Sequence, residues 1–266
     1  MLNGAIKGEV FLVGAGPGDP ELLTIKALRM LQMADVVVHD RLVSEAILDL
    51  IPGDTRRIDV GKKPDHHPVP QAEINALLLR LAKSGLRVAR LKGGDPMVFG
   101  RGSEEAAELR GAGIPVRVAP GITAAQGVSA ATGVPLTHRG LATGVRFVTG
   151  HCQANRSLDL DWAGLADPDT TLVVYMGHAN IRQIAGALIA NGLPWDHPVL
   201  VVTNGTRPNE TRLVTHLGAL QAKRATIVAP GPVLFIIGRV VSLLEEDHVA
   251  VDTILQAPDL RRVLHG

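Results

Sequence analysis

The sequence predicts an α/β protein of two domains built on mainly parallel or mixed sheets. Short β-branched runs alternate with helical patterns from the N-terminus onward. At 266 residues and 46% hydrophobic, the chain supplies core for one large domain or two modest ones. The stretch 133–144, with Pro135 and three glycines, interrupts the alternation and marks the best junction. The expected organisation is an N-terminal α/β domain over 1–136, a C-terminal α/β domain over 137–244 and an extension over 245–266.

In the first domain, strands are expected at 10–13, 36–38, 56–60, 87–91 and 116–118. Between them, Leu and Ala spacing fits helices at 21–33, 71–83, 104–111 and 123–132, each presenting one apolar face to a sheet. Strand, helix and strand in succession favour parallel pairing with both sheet faces covered. The second domain carries candidate strands at 146–149, 171–175, 199–203, 213–216 and 233–237, with helices around 179–191 and 217–223. Strand 213–216 is the candidate for antiparallel pairing. The acidic run from Glu245 and the Arg261-Arg262 tail read as a partly ordered extension.

Charge and composition exclude several classes. With 27 basic and 26 acidic residues the net charge is +1, so no global field recruits nucleic acid or an anionic membrane. Aromatic residues are 3%, which leaves few platforms for stacking bases. The single cysteine, Cys152, forms no intrachain disulfide and suits a reducing compartment. No signal-peptide pattern and no apolar run near the roughly 18 residues of a membrane span is present, so a cytoplasmic location without membrane association is expected. His66 and His67 precede Pro68 without a third ligand at recognisable spacing, and no metal is expected. His138, His151 and His178 read as structural histidines at loop ends.

Three glycine loops follow strands and open helices, where α/β proteins bind ligands. The first, Gly14-Ala-Gly-Pro-Gly-Asp-Pro20, differs from a dinucleotide fingerprint: Pro17 and Pro20 remove N–H donors and Asp19 occupies the approach a phosphate would take. The second, Leu91-Lys-Gly-Gly-Asp-Pro-Met-Val-Phe-Gly-Arg-Gly102, adds Asp95, which either holds a ligand ammonium or caps a turn; Ser103 is placed to cap the next helix. The third, Ala119-Pro-Gly-Ile-Thr-Ala-Ala125, offers the Thr123 hydroxyl and the Ala124 N–H. None carries a P-loop Lys-Ser/Thr pair. Together they suggest a ligand with an amino acid moiety and uncharged rings, and S-adenosylmethionine fits that description.

These loops, taken in order with Ala-Asp-Val-Val-Val-His-Asp-Arg-Leu-Val-Ser at 34–44, Val-Gly-Lys-Lys at 60–63 and Pro-Leu-Thr-His-Arg at 135–139, resemble the tetrapyrrole methylase family across residues 8–242. The resemblance implies two α/β domains with the active site in an interdomain cleft, usually in a homodimer. It also implies two S-adenosylmethionine-dependent methylations, at C2 and C7 of uroporphyrinogen III, giving precorrin-2 through precorrin-1. A sibling activity on a later corrin precursor is the alternative within the family. A nucleotide-dependent oxidoreductase and a tetrapyrrole carrier are the alternatives outside it.

By motif position, the resemblance places cofactor contacts at Pro17, Gly93, Gly94, Asp95, Val98, Thr123, Ala124, Met176 and Gly205. Asn204 stands where an arginine is common in the family. The resemblance assigns Asp40 as proton acceptor, Lys62 as proton donor and Arg101 as a base, assignments that compete, and sets Glu104 and Arg139 against substrate. An arginine with a pKa above about 12 is a poor base and a good ligand for a carboxylate. The substrate bears carboxylates around its rim, so cations among Arg41, Lys62, Lys63, Lys92, Arg101 and Arg139 should converge. Each candidate also has a structural reading: Asp40 and Thr123 as helix caps, Lys62 as a solvated charge, Arg101 paired with Glu104 or Glu105, Arg139 at the junction, and Met176 as core filler.

Overall fold

In the computed structural model, residues 8–61, 69–151, 158–222, 226–227 and 229–244 are described. Lys62, Lys63, His66, His67, Cys152 and the 245–266 extension lie outside them. The chain divides into two compact units, Met1–Ala124 and Ala125–Gly266.

The first unit is built on β1 (Glu9–Gly14), β2 (Val36–His39), β3 (Arg56–Asp59), β4 (Arg87–Lys92) and β5 (Val116–Ala119), all parallel in the order β3-β2-β4-β1-β5. Strand side chains alternate between two faces, so each strand feeds two cores. Phe11, Val13, Val37, Ala89 and Leu91 pack with α1 (Ile25–Met33) and α2 (Glu45–Leu48). Val10, Leu12, Val36, Val38 and Val88 pack with α3 (Gln71–Lys83) and α4 (Gly102–Gly111). The chain therefore leaves β1 toward one face and its neighbour β4 toward the other. Such a divergence at the carboxyl ends of neighbouring strands is where open α/β sheets bind ligands.

The helix expected at 21–33 is divided. A 3-10 turn at Pro20–Leu22 comes first, and α1 starts only after Thr24, whose hydroxyl accepts from the Ala27 amide at 3.1 Å and donates to the Pro120 carbonyl at 3.1 Å. The short α2 begins only after Ser44, later than the helix that Asp40 would have capped; four residues are too few to show a helical period.

The second unit contains α5 (Ala124–Thr132, whose first residue ends the first unit), β6 (Gly144–Thr149), α6 (Trp162–Leu165), β7 (Thr170–Tyr175), α7 (Ile181–Ala190), β8 (Pro198–Thr203), β9 (Thr211–His216), α8 (Leu217–Gln221) and β10 (Val233–Ile237). Its sheet, ordered β6-β7-β10-β8-β9, is mixed: β6 and β7 are parallel, while β10 runs antiparallel to both β7 and β8, and β9 antiparallel to β8. The core joins Leu172, Val174, Val201, Phe235 and Ile237 to Ile184, Leu188, Leu217 and Leu220. The antiparallel expectation for 213–216 agrees with β9.

The sequence boundary at 136/137 and the division after Ala124 differ by most of α5. The proline and glycine signal marks where that helix ends, whereas its packing belongs to the second unit: Val128 lies close against Gly205, and Arg212 donates to the Ala131 carbonyl at 2.9 Å. No helix among the described residues is long and apolar enough to cross a membrane.

His197, just before β8, is buried, and its pKa falls to about 4, first through desolvation and then through the positive charge of Arg239, with Asp196 opposing. Because the folded value lies below the unfolded 6.5, the neutral ring's stabilisation is complete above about pH 6.5 and is lost as pH falls through about 4, to a total of ~3 kcal/mol. Trp162 and Trp195 both lie in the second unit, so urea unfolding followed by tryptophan fluorescence should report this loss. A His197→Asn variant should show a flatter dependence between pH 6.5 and 4; an unchanged slope would remove His197 as its source.

Candidate active site

The three glycine loops of the first unit are joined through backbone. Gly16 and Gly94 form an antiparallel bridge, with Gly94 N–H donating to the Gly16 carbonyl at 2.7 Å and Gly16 N–H to the Gly94 carbonyl at 3.1 Å. The third loop crosses directly on top. A Cβ on Gly121 would lie 2.8 Å from the Gly14 Cα and would overlap the Gly94 carbonyl, so neither crossing tolerates a side chain. Asp95 closes the arrangement: one carboxylate oxygen accepts from Met97 N–H at 2.7 Å and the other from Gly121 N–H at 2.9 Å. Its turn-capping role is thus observed, and it ties the second loop to the third.

Several of the first unit's candidate residues lie on these crossed loops. Pro17 lies between bridged Gly16 and Gly18, whose carbonyl accepts from the Ser44 hydroxyl at 2.6 Å. Gly93 lies against Leu42, and Gly94, with φ 68°, has open space where a Cβ would stand. Val98 sits in the turn closed by its N–H to the Asp95 carbonyl at 3.3 Å. Thr123 is buried and Ala124 half-buried at the start of α5. Ser103 does not cap α4: the helix starts one residue earlier, and its cap position is Arg101 with φ 57°.

Asp40 follows β2. Its Oδ1 accepts from Leu42 N–H at 3.0 Å, closing a turn rather than capping a helix, and its Oδ2 lies 3.8 Å from the Arg90 guanidinium. Arg90 and Lys92 alternate with Leu91 on β4, so both point to the face that α3 and α4 cover, where Val88 is core. Burying two cations there is costly unless they are paired. Fully buried Glu105 of α4 supplies the pair: its Oε1 lies 2.8 Å from Lys92 Nζ and 3.4 Å from Arg90 Nε, and accepts from Gln71 Nε2 at 2.9 Å. Its Oε2 is buried without a hydrogen-bond partner. Burial, then the adjacent Arg90 charge, hold the Lys92 ammonium below its ordinary pKa, with Glu105 opposing. Sequence reasoning passed over Arg90, although alternating cations on one face of a core strand were a usable signal.

Arg101 and Glu104 form a two-pronged pair at the surface, Nε to Oε1 at 3.0 Å and Nη2 to Oε2 at 2.7 Å. The Glu104 hydrogen bond raises the already high pKa of Arg101, and the reciprocal bond lowers that of Glu104.

In the second unit, Met176 follows β7 and is exposed, with φ 53°, so it is not core filler. Beside it, the Tyr175 hydroxyl accepts from Ala125 N–H at 3.1 Å. Gly205 lies between buried Asn204, φ 54°, and Thr206, φ 66°. Asparagine is among the few residues that enter this left-handed region readily, which accounts for its presence at 204. Arg139 is exposed in the turn bracketed by the His138–Ala142 bridge. Among the described residues, the five non-glycine residues with positive φ, Phe99, Arg101, Met176, Asn204 and Thr206, all fall in segments that sequence motifs marked. Such strain collects at functional loops. Among the described residues, no group of three or more His, Cys, Asp or Glu could hold a metal ion.

Residues 9–221 match the family model described as tetrapyrrole (corrin/porphyrin) methylases. The chain is 55% identical over 269 aligned residues to a uroporphyrinogen-III C-methyltransferase of Paracoccus denitrificans (strain Pd 1222), covering 99% of this chain and 93% of that protein. It is 54% identical to a siroheme synthase of Acinetobacter baylyi (strain ATCC 33305 / BD413 / ADP1) over 91% of this chain but 53% of that protein, so it spans about half the length of that relative. The crystal structure of a uroporphyrin-III C-methyltransferase from Thermus thermophilus complexed with S-adenosylhomocysteine superposes with a TM-score of 0.78 at 43% identity, covering 92% of this chain and 98% of that one.

The glycine crossing gives a direct expectation. Gly121→Ala should destabilise the protein by about 1–3 kcal/mol through overpacking against backbone. It should also abolish S-adenosylhomocysteine binding in titration calorimetry, because the loops could no longer close on one another. Wild-type affinity in that variant would show that the crossing does not shape the ligand site.

Proposed function

The chain belongs to the tetrapyrrole methylase family, and on that premise we propose that it methylates uroporphyrinogen III at C2 and C7 to give precorrin-2 through precorrin-1. The near-full-length likeness to a uroporphyrinogen-III C-methyltransferase carries this reading. The glycine loops supply the physical fit for the methyl donor. Open space over Gly94, together with a wall of backbone at Pro17, Gly93 and Gly94, accepts a flat, uncharged purine without offering phosphate donors. S-adenosylmethionine, when bound, supplies a methyl group from its sulfonium and departs as S-adenosylhomocysteine.

Asp95, Val98, Thr123 and Ala124 are the donor contacts of this reading in the first unit; Met176 and Gly205 carry the same role by family motif position. Asp95 keeps acceptor capacity beyond its two backbone bonds, which suits a ligand ammonium. Once the macrocycle carbon has gained a methyl group, a proton must leave the ring. Asp40 accepts it: the carboxylate is partly exposed, with one oxygen held by the Leu42 N–H. Arg101 is not the base, since its pKa is raised by Glu104. It binds a substrate carboxylate in exchange for Glu104, with Arg139 serving another. Lys62 remains the proton donor of this scheme and lies outside the described residues. The enzyme works in the cytoplasm as a homodimer.

Incubation with uroporphyrinogen III and S-adenosylmethionine should yield a dimethylated product by mass spectrometry; no product, or product only from a later corrin precursor, would overturn the substrate assignment. Asp40→Asn should lower kcat by about 10²-fold or more while S-adenosylhomocysteine affinity is retained. Arg101→Lys should lower kcat/KM with donor affinity unchanged, because lysine cannot reproduce a two-pronged carboxylate contact. Wild-type kcat/KM would remove Arg101 from the site.

A further inference from the structure

Buried ion clusters rarely add stability, because desolvation offsets the attraction between the charges. The cluster under α4 is also incompletely satisfied, since the Glu105 Oε2 has no hydrogen-bond partner. Its construction is directional instead. Lys92 Nζ at 2.8 Å and Gln71 Nε2 at 2.9 Å fix Glu105 Oε1. Glu105 and the Leu91 carbonyl, 3.3 Å from Arg90 Nη1, fix the guanidinium from two sides. Arg90 in turn faces Asp40 Oδ2 at 3.8 Å. Of the four charged members, Lys92, Glu105 and Arg90 have side-chain exposures of 6%, 0% and 4%, whereas Asp40 reaches solvent at 26%. A chain of fixed charges thus runs from the core to one accessible carboxylate.

We infer that Arg90, anchored by Glu105, is a positioning residue that holds the Asp40 carboxylate in its working orientation for proton removal. The inference rests on Asp40 being the proton acceptor. Leu42 N–H holds one carboxylate oxygen, and the Arg90 guanidinium, 3.8 Å from the other, attracts it without a direct hydrogen bond, so a turn and a strand both bias the carboxylate. Lysine at 90 would keep the charge but lose the planar fork that reaches both Glu105 and Asp40.

A double-mutant cycle tests this with Arg90→Lys, Asp40→Asn and the double variant, measuring kcat, KM and S-adenosylhomocysteine affinity by calorimetry. Arg90→Lys should lower kcat about tenfold or more, with KM changed less than about threefold and donor affinity less than about twofold. In the Asp40→Asn background it should change kcat less than about twofold, because there is no carboxylate left to position. Independent, multiplicative losses, or wild-type kcat in Arg90→Lys, would overturn the inference while leaving the acceptor reading intact. Wild-type kcat in Asp40→Asn would instead remove the acceptor reading and the inference with it. If Arg90→Lys does not fold, as judged by loss of donor binding, Glu105→Gln replaces it in the same cycle and must show the same non-additivity.

Discussion

The first unit depends on a contact between backbones. Gly14, Gly94 and Gly121 approach one another so closely at the ends of β1, β4 and β5 that no side chain fits between them. Strands packed side by side in a parallel sheet end close together, yet their following loops normally diverge. Here the Gly16–Gly94 bridge and the Asp95 clamp hold three loops in one surface. The first unit's proposed donor contacts rest on that surface, whose polar character comes mainly from peptide groups. A site built in this way is rigid and weakly charged, which suits a ligand bound for its shape more than for a phosphate.

The surroundings of that surface divide labour by burial. On the α3 and α4 side, Arg90, Lys92 and Glu105 are nearly inaccessible and lock one another in place. At the rim, Arg101 and Glu104 pair in solvent, where such an attraction contributes little to stability and exchanges readily. A buried set that cannot rearrange and an exposed pair that can are different tools. The first suits holding an atom still, the second suits admitting a charged substrate.

Much of this was legible before any coordinates. The strands of both units follow the β-branched runs closely, because a strand facing a core carries apolar side chains there; exposed β3 and the charged Arg90 and Lys92 of β4 are the departures. Boundaries were less legible where a side chain decided them: Thr24 divides the first helix, and Arg101 in a left-handed conformation displaces Ser103 as the start of α4. The sequence boundary and the packing division differ because proline and glycine mark where a helix stops, not which core it joins. The glycine loops announced a site, but Asp95 reads from sequence as a ligand partner with equal ease, and only its two backbone bonds reveal the clamp. Arg90 was passed over for a different reason. A charged residue in a strand is ordinarily taken as solvent-facing, and its burial depends on Glu105, a partner on a distant helix.

The crossing of Gly14, Gly94 and Gly121 also has a meaning in time. Its three members come from the beginning, the later part and the end of the first unit, so the contact is long-range in sequence and carries the entropy of closing large loops. It forms only when β5 has inserted beside β1, and β5 is the last strand of that sheet to be synthesised. Partly made chains can therefore fold helices and pair β2 with β4 and still have no cradle. The crossing is therefore complete only when the whole unit is.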